Sequence, residues 1–225
     1  MKIVKFLSAA ACFLLSAAII ATVIDVCSFN RSFYEMEYQK NDTVSYTGMS
    51  AEDNLRATDA LLDYLRDKRQ DIVVTAKVNG FEREVFNERE TLHMVDVKAL
   101  YQSAVTVRNL CVILAVLLIA AASLIGKKNP LFVFTAGWRS GIMLTGLLIL
   151  FIAVYALADF NAFWTNFHQL FFRNDLWLLD PRTSIMINLF PGSFFFDLVI
   201  RIILWVIGIH ILISLAVIAV ERRQA

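Results

Sequence analysis

Proline and glycine are scarce, three and eight respectively in 225 residues. From Glu88 to Ile125 neither occurs, so nothing in that stretch interrupts a helix. The three cysteines include no Cys-x-x-Cys pair and offer neither a disulfide framework nor a thiolate metal site. Cys12 and Cys111 fall within apolar runs, and Cys27 sits just beyond the first of them. There is no Gly-x-Ser-x-Gly, Ser-x-x-Lys, His-Glu-x-x-His, phosphate-binding loop or dinucleotide glycine loop. Serine-hydrolase, zinc-protease, phosphoryl-transfer and hydride-transfer chemistry therefore have no support. Charged residues make up 18% of the chain with a net charge of +1, which gives no sign of a nucleic-acid partner.

What the chain has instead is apolar sequence, 58% of all residues, concentrated in blocks. A helix needs about 20 apolar residues to cross the hydrocarbon of a bilayer. Four segments meet or approach that length: Phe6–Ile24, about 110–126, 141–158 and 198–220. The first could be a signal peptide, with Ser16-Ala17-Ala18 as a cleavage-like triplet. Its uncharged run is longer than the usual apolar region of about 7–15 residues, which favours a retained anchor. Lys2, Lys5, Lys127, Lys128, Arg139, Arg222 and Arg223 flank alternate segment ends. The positive-inside rule then puts both termini and the 127–139 connection in the cytoplasm, with 27–108 and 159–197 outside. The expected organisation is a first span with its N-terminus (1–26), an outer domain (27–108), a second span (109–126), a cytoplasmic loop (127–139), a third span (140–158), an outer loop (159–197), a fourth span (198–220) and a short tail (221–225).

Residues 27–108 carry eleven Lys/Arg and fourteen Asp/Glu, which marks a water-facing domain. Ser50 and Asp53 have capping-box spacing, and Leu55, Leu61, Leu62 and Leu65 come next at helical intervals, so an amphipathic helix is expected over about 51–69. Asn79-Gly80 signals a two-residue hairpin. In that register Val78 faces Phe81, Val74 faces Val85, and Lys77 faces Glu82 as an opposite-charge pair. Asn87 and Glu90 then open a helix that runs on into the second span. His93 lies on it, about 25 Å from Leu110 if the helix is straight. Asp96, three residues on, shares its face and either orients the imidazole or forms a surface ion pair.

Residues 160–196 hold eleven Phe or Trp, including half of the eighteen phenylalanines. Such a concentration suits the headgroup boundary of a membrane. Phe160, Phe163, Trp164, Phe167 and Phe171 recur on one helical face. Asn161, Thr165, His168 and Asp175 recur on another, so a polar stripe containing His168 is expected on an interfacial helix, facing either a cleft or solvent. Asp180-Pro181 and Pro191-Gly192 divide the rest of this loop into two short elements. Arg173, Arg182 and Arg201 fall near the outer boundary, where they either contact lipid oxygens or snorkel. His210, midway along the fourth span, reads as an interhelical hydrogen-bonding residue. Two outer histidines, each with a carboxylate on its helical face, suit ester chemistry at a lipid surface. One would act as base toward an amine or hydroxyl, and the other would protonate or stabilise the tetrahedral oxygen. Their spacing gives no positive sign of a metal site.

Two longer motifs sharpen this: Glu90-Thr91-Leu92-His93-Met94-Val95-Asp96-Val97-Lys98, and Phe167-His168-Gln169-Leu170-Phe171-Phe172 with Trp177 and Asp180-Pro181 beyond it. With the four-span hydropathy, the Tyr46-Thr47-Gly48 to Leu65 stretch and the Val78-Asn79-Gly80 turn, the chain resembles the bacterial lipoprotein intramolecular transacylases over nearly its whole length. The resemblance implies a multi-pass α-helical membrane protein of the cytoplasmic membrane, with four transmembrane helices, a small α+β extracytoplasmic domain and an aromatic interfacial loop. It implies transfer of an acyl chain within a diacylated lipoprotein, from the glyceryl sn-2 ester to the N-terminal cysteine amine, without a cofactor. His93 and His168 would be catalytic, with Asp96, Lys98 and Asp175 supporting. Tyr101, Phe171, Phe172, Arg173, Asn174, Trp177 and Arg182 would contact the substrate. The partners implied are the lipoprotein N-terminus and the bilayer, and nothing demands an oligomer. The chain departs from the family pattern at Ser184, where an acidic residue is expected, and at Pro191-Gly192-Ser193-Phe194, where Pro-Glu-x-Phe is expected. A non-catalytic scaffold or sensor, and another lipid ester hydrolase or acyltransferase, are the competing readings. Inert histidine substitutions would favour the scaffold.

Overall fold

The computed structural model describes residues 2–224. Its elements are α1 (Lys2–Ser28), α2 (Arg31–Lys40), α3 (Thr43–Thr47), α4 (Ala51–Leu65), β1 (Thr75–Val78), β2 (Phe81–Glu84), α5 (Glu88–Gly126), α6 (Pro130–Ala158), α7 (Phe160–Phe171), α8 (Ile185–Leu189) and α9 (Gly192–Gln224). Four of them, α1, α5, α6 and α9, are long and apolar enough to cross a membrane. The chain divides into two compact units: Met1–Val26 with Ala104–Ala158 and Ile200–Ala225, and Cys27–Ser103 with Asp159–Val199.

In the first unit the contacts between helices rest on small residues. A Cβ on Gly137 of α6 would lie 2.4 Å from the Ser8 carbonyl oxygen of α1, and one on Gly141 would lie 2.5 Å from Cys12 Cβ. Close backbone approach through a small-xxx-small pair is how apolar helices associate where lipid offers no hydrophobic driving force. Around this contact Cys12, Trp138 and Val217 form a buried cluster. A polar chain crosses the same core. Ser16 Oγ and His210 Nε2 lie 2.5 Å apart, and His210 Nδ1 donates to the Val206 carbonyl at 2.8 Å. Trp138 stacks on the His210 ring at 6.0 Å and donates to Ser214 Oγ at 3.0 Å. His210 is therefore the interhelical hydrogen-bonding residue its position suggests. Arg108 and Asp25 pair at 3.0 Å.

The connection expected over 127–139 is much shorter. Asn129 accepts from the backbone N–H groups of Leu131 and Phe132 at 2.7 and 3.3 Å. Pro130 occupies the first helical position, where its missing N–H costs nothing. Helix α6 therefore starts ten residues before the expected third span. Arg139 lies inside it and pairs with Glu221 at 2.6 Å. Likewise α9 starts at Gly192, directly after Pro191, rather than at 198.

In the second unit, Ser50 caps α4 by accepting from the Asp53 N–H at 3.0 Å. The helix stops at Leu65, short of the expected 69. Asp67 adopts a left-handed conformation (φ 61°), and the Lys68 N–H returns to the Asp63 carbonyl at 2.9 Å, a Schellman-type ending. The β1–β2 hairpin has the register read from sequence, with Val78 opposite Phe81 and Lys77 opposite Glu82. Asn79 and Gly80 both have positive φ, as this turn requires. Buried rings of Phe33, Tyr34 and Phe194 pack with half-buried Phe190, with centroids 5.2–6.3 Å apart. Lys40 pairs with Asp197. Buried Glu37, beside them, accepts from Asn41 at 3.0 Å, and burial reinforced by Asp197 raises its carboxyl above the ordinary range.

Helix α5 begins with a reciprocal cap: the Asn87 side chain accepts from the Glu90 N–H at 3.0 Å, and Glu90 Oε2 accepts from the Asn87 N–H at 2.6 Å. Its 39 residues extend roughly 58 Å at about 1.5 Å per residue, about twice the hydrocarbon thickness of roughly 30 Å. Only its uncharged part, 109–126, has the composition a bilayer interior requires, whereas its first turns carry charge. There Glu90, fully buried, receives two further donors on its other oxygen: Ser184 Oγ at 2.6 Å and the Met186 N–H at 2.7 Å. The carboxylate thus ties the start of α5 to the start of α8. Replacing Glu90 by alanine leaves the Met186 N–H and the Asn87 N–H without acceptors. At about 1–3 kcal/mol for each stranded donor, the Glu90→Ala variant is expected to lose at least about 2 kcal/mol. Thermal unfolding in detergent should show a lowered Tm, with Glu90→Gln intermediate.

Candidate active site

His93 stands one helical turn after Glu90 on α5, so the clamp that buries Glu90 also turns His93 inward. Its side chain is buried, as is Met94 beside it. His168 lies in α7, whose start is capped by Asp159 accepting from the Ala162 N–H at 2.9 Å. It is the one buried residue of that helix. The polar stripe expected from periodicity does not form. Asn161 is exposed and Thr165 likewise, and α7 ends at Phe171, so Asp175 belongs to the irregular segment beyond it. His168 turns instead to the aromatic side. Its ring lies 4.9 Å from Trp164, 5.5 Å from Phe167, 5.7 Å from Phe172 and 4.9 Å from Trp177.

The two imidazoles face each other with centroids 6.2 Å apart and planes inclined by 32°. Phe172 touches both, standing edge-on to His93 at 5.3 Å. Burial lowers the His93 pKa to about 4, and the neighbouring His168 adds to the effect against the smaller opposing pull of Asp96. Burial also lowers His168, partly offset by its hydrogen bond to the Trp164 carbonyl. Both rings are neutral at neutral pH, because a charged imidazolium without water is costly. His168 Nδ1 lies 2.8 Å from the Trp164 carbonyl oxygen. That oxygen can only accept, so in the neutral ring the proton sits on Nδ1 and the Nε2 lone pair is free. His93 Nδ1 is buried with no hydrogen-bond partner among the described residues. A buried N–H without an acceptor is rarely tolerated, so the neutral His93 ring carries its proton on Nε2. One ring thus offers an acceptor and the other a donor.

The remaining candidates divide sharply. Asp96 does not hydrogen-bond His93. Its carboxylate accepts from Asn174 Nδ2 at 2.8 Å and acts on the imidazole only through charge. Trp177 covers His168 and donates to the Asn174 carbonyl at 3.0 Å. Phe171, Phe172, Arg173 and Asn174 line a groove of about 390 Å³ with Asp96, Ala99, Leu100 and Ser103. Other residues are engaged elsewhere. Lys98 pairs with Asp67 at 2.7 Å and lies over the Tyr64 ring. Tyr101 packs on Phe29 at 5.0 Å. Asp175 is exposed and pairs with Arg89 at 3.2 Å. Arg182 chelates Asp180, holding that carboxyl at about 2, and its side chain is 87% exposed. Among the described residues no group of three or more His, Cys, Asp and Glu could hold a metal ion.

Three residues that position the pair escaped the sequence reading. Glu90 was legible only as a cap, although its place three residues before His93 puts it on the same face. Trp164, four residues before His168, read as part of a greasy face rather than as a hydrogen-bonding and packing partner. Ser184 read only as a departure from a family pattern, whereas it donates to buried Glu90.

Solved structures with this fold come from the membrane-integral lipoprotein intramolecular transacylase Lit of Bacillus cereus. One is 22% identical, covers 98% of this chain and 97% of its own, and superposes with a TM-score of 0.75. Two variants of that protein, with one histidine replaced by alanine or by arginine, are 20% identical. The alanine variant covers 99% of this chain and 96% of its own at a TM-score of 0.73, and the arginine variant 99% and 95% at 0.72. No curated protein matches the chain. The family described as lipoprotein intramolecular transacylase Lit matches residues 9–195, and the chain belongs to that family.

Proposed function

We propose that the protein moves an acyl chain within a diacylated lipoprotein, from the sn-2 ester of the glyceryl group to the α-amine of the N-terminal cysteine. The observation carrying this reading is the pair of buried, neutral imidazoles 6.2 Å apart, one presenting a lone pair and the other an N–H. The unprotonated amine attacks the ester carbonyl carbon, forming the new C–N bond and a tetrahedral intermediate. His168 Nε2 takes the proton that becomes acidic on the attacking nitrogen. His93 Nε2–H donates to the developing oxyanion. As the carbonyl re-forms, the C–O bond to the glyceryl oxygen breaks and the proton returns from His168 to that oxygen. The product is an N-acyl, lyso-glyceryl lipoprotein, with protons and acyl groups balanced.

A low pKa suits both roles. A neutral ring can accept the proton of the zwitterionic intermediate, which is far more acidic than a free ammonium, and no charge need be buried before reaction. The rings packed around His168 exclude water, which favours transfer to the amine over hydrolysis. Charge flanking the four apolar helices supports a place in the bacterial cytoplasmic membrane, with both termini inside and the histidine pair outside. The test is mass spectrometry of lipoprotein N-termini after incubating purified protein in liposomes with a diacylated lipoprotein. The expected product has unchanged mass, with fragment ions assigning one acyl group to the cysteine nitrogen. An unmodified N-terminus, or loss of an acyl group to water, contradicts the proposal.

In that assay His168→Ala and His93→Ala should each lower kcat/KM by roughly 10²–10⁴, the usual range for a positioned acid or base, while the protein remains in the membrane. The pH dependence derives from the lowered pKa values. A histidine of ordinary pKa, about 6.5, would add a second proton to the acid limb near neutrality. With both imidazoles held below that value, the substrate amine (pKa about 7.7–8.0) is the one group titrating there. A plot of log kcat/KM against pH should therefore rise with unit slope from about 6 to about 7.5. A slope of two would show that a histidine titrates in the same range.

A further inference from the structure

Resting on that reading, the geometry points to a separate recognition element for the substrate's amine. We propose that Asp96, in the groove it lines with Arg173, Ser103 and Phe172, docks the free α-ammonium of the lipidated peptide, which displaces Asn174 from the carboxylate. Four observations support this. Asp96 lies one turn after His93, within electrostatic reach of that ring, yet gives it no hydrogen bond. Its hydrogen-bond partner is a neutral amide, Asn174 Nδ2 at 2.8 Å. The groove shares a wall with the reacting pair, because Phe172 touches both imidazoles. On its α5 side Ala99 and Ser103, beside Leu100, are small, which leaves room for main chain.

Asn174 is the hub of the segment over His168: its side-chain Oδ1 accepts from the Leu176 N–H at 3.1 Å, and its backbone carbonyl accepts from Trp177 Nε1 at 3.0 Å. Trp177 in turn lies 4.9 Å from the His168 ring. The Asp96–Asn174 bond pairs a carboxylate with a neutral donor, whereas an arriving ammonium adds the Coulomb attraction of a second full charge, so it outcompetes the amide for Asp96. Asn174 is then released together with the indole that depends on it. The buried pair would open for a ligand with a free amine and stay covered for one whose amine is already acylated, which is the difference between substrate and product. Once docked, the amine attacks in its unprotonated fraction, so Asp96 governs binding and admission rather than the chemical step.

The test uses a diacyl-like lipopeptide in which both chains are ether-linked, so that nothing can be transferred, prepared with a free and with an acetylated α-amine. Affinities are measured with the full-length protein in detergent micelles. At pH 7 the wild type should bind the free amine at least about tenfold more tightly than its acetylated twin. Asp96→Asn should bring the ratio close to one by weakening only the free amine. Asn174→Ala should keep or widen it, because the competitor for the carboxylate is gone. In the wild type the preference should fade at pH 9.5, where the amine has lost its charge (pKa about 7.7–8.0). Arg173 shares the groove, and the histidines, lowered by burial, are neutral at both pH values. An undiminished ratio in Asp96→Asn, a wild-type ratio near one, or a preference persisting at pH 9.5 overturns the proposal. The wild-type pH comparison decides the question even if Asp96→Asn fails to fold. Because the ethers cannot react, an amine preference without transfer on the ester substrate would refute the catalytic reading alone.

Discussion

The arrangement depends on a desolvation cost. Two imidazoles are packed against each other and against aromatic rings, where an imidazolium would have no water to support it. Neutrality is the consequence, and with it a division of labour that neutral imidazole alone permits, one nitrogen accepting and one donating on each ring. The Trp164 carbonyl selects the tautomer of His168, and the partnerless Nδ1 of His93 selects the complementary one. A pair of exposed histidines at the same separation would titrate near neutral pH and exchange tautomers freely. Burial turns two common side chains into a hydrogen-bond acceptor and a donor of fixed orientation.

Holding those rings requires polar anchors within an apolar setting. Glu90 supplies the principal one, gathering the Asn87 N–H, Ser184 hydroxyl and Met186 N–H around a fully buried carboxylate. From three residues before His93, it joins the start of α5 to Ser184 at the start of α8, 16 residues beyond His168. The spanning helices solve a parallel problem by similar means. Glycines 137 and 141 allow close backbone approach, and the contact between Ser16 and His210 is a directional bond in a region where hydrophobicity gives no preference among partners. In both units a few satisfied polar groups give specificity that the surrounding apolar surface cannot.

Much of this was legible in the sequence, and the reason differs by element. Long uncharged runs disclose spans because the bilayer imposes a length, and the lack of proline and glycine from Glu88 to Ile125 foretold one continuous helix. Asn79-Gly80 fixed a hairpin register because few residue pairs tolerate its turn. Helix ends were less readable. Asp67 stops α4 through a left-handed conformation no propensity announces, and Pro130 starts α6 inside what looked like a loop. The site was misread where periodicity was trusted too far. Asn161, Thr165 and His168 share a spacing, but twelve residues of helix can bury only one side, and Trp164 and Phe167 pulled His168 to theirs. Asp96 looked like an orienting partner of His93 because three-residue spacing implies proximity. Spacing along one helix says nothing about Asn174, 78 residues away, which takes the hydrogen bond. Histidine identity was readable from motif, whereas burial, tautomer and the Glu90 clamp are products of long-range packing.

The central claim is that His93 and His168 form a neutral, tautomerically complementary pair. With three histidines in the chain, ¹⁵N NMR of the imidazole nitrogens in the micelle-bound protein addresses it directly, with signals assigned by single substitutions. The account predicts that His168 is protonated on Nδ1 and His93 on Nε2 at pH 7, and that both rings titrate below the ordinary value of about 6.5, with His93 the lower. Titration of either ring at or above pH 6.5, or a His168 protonated on Nε2, would contradict it.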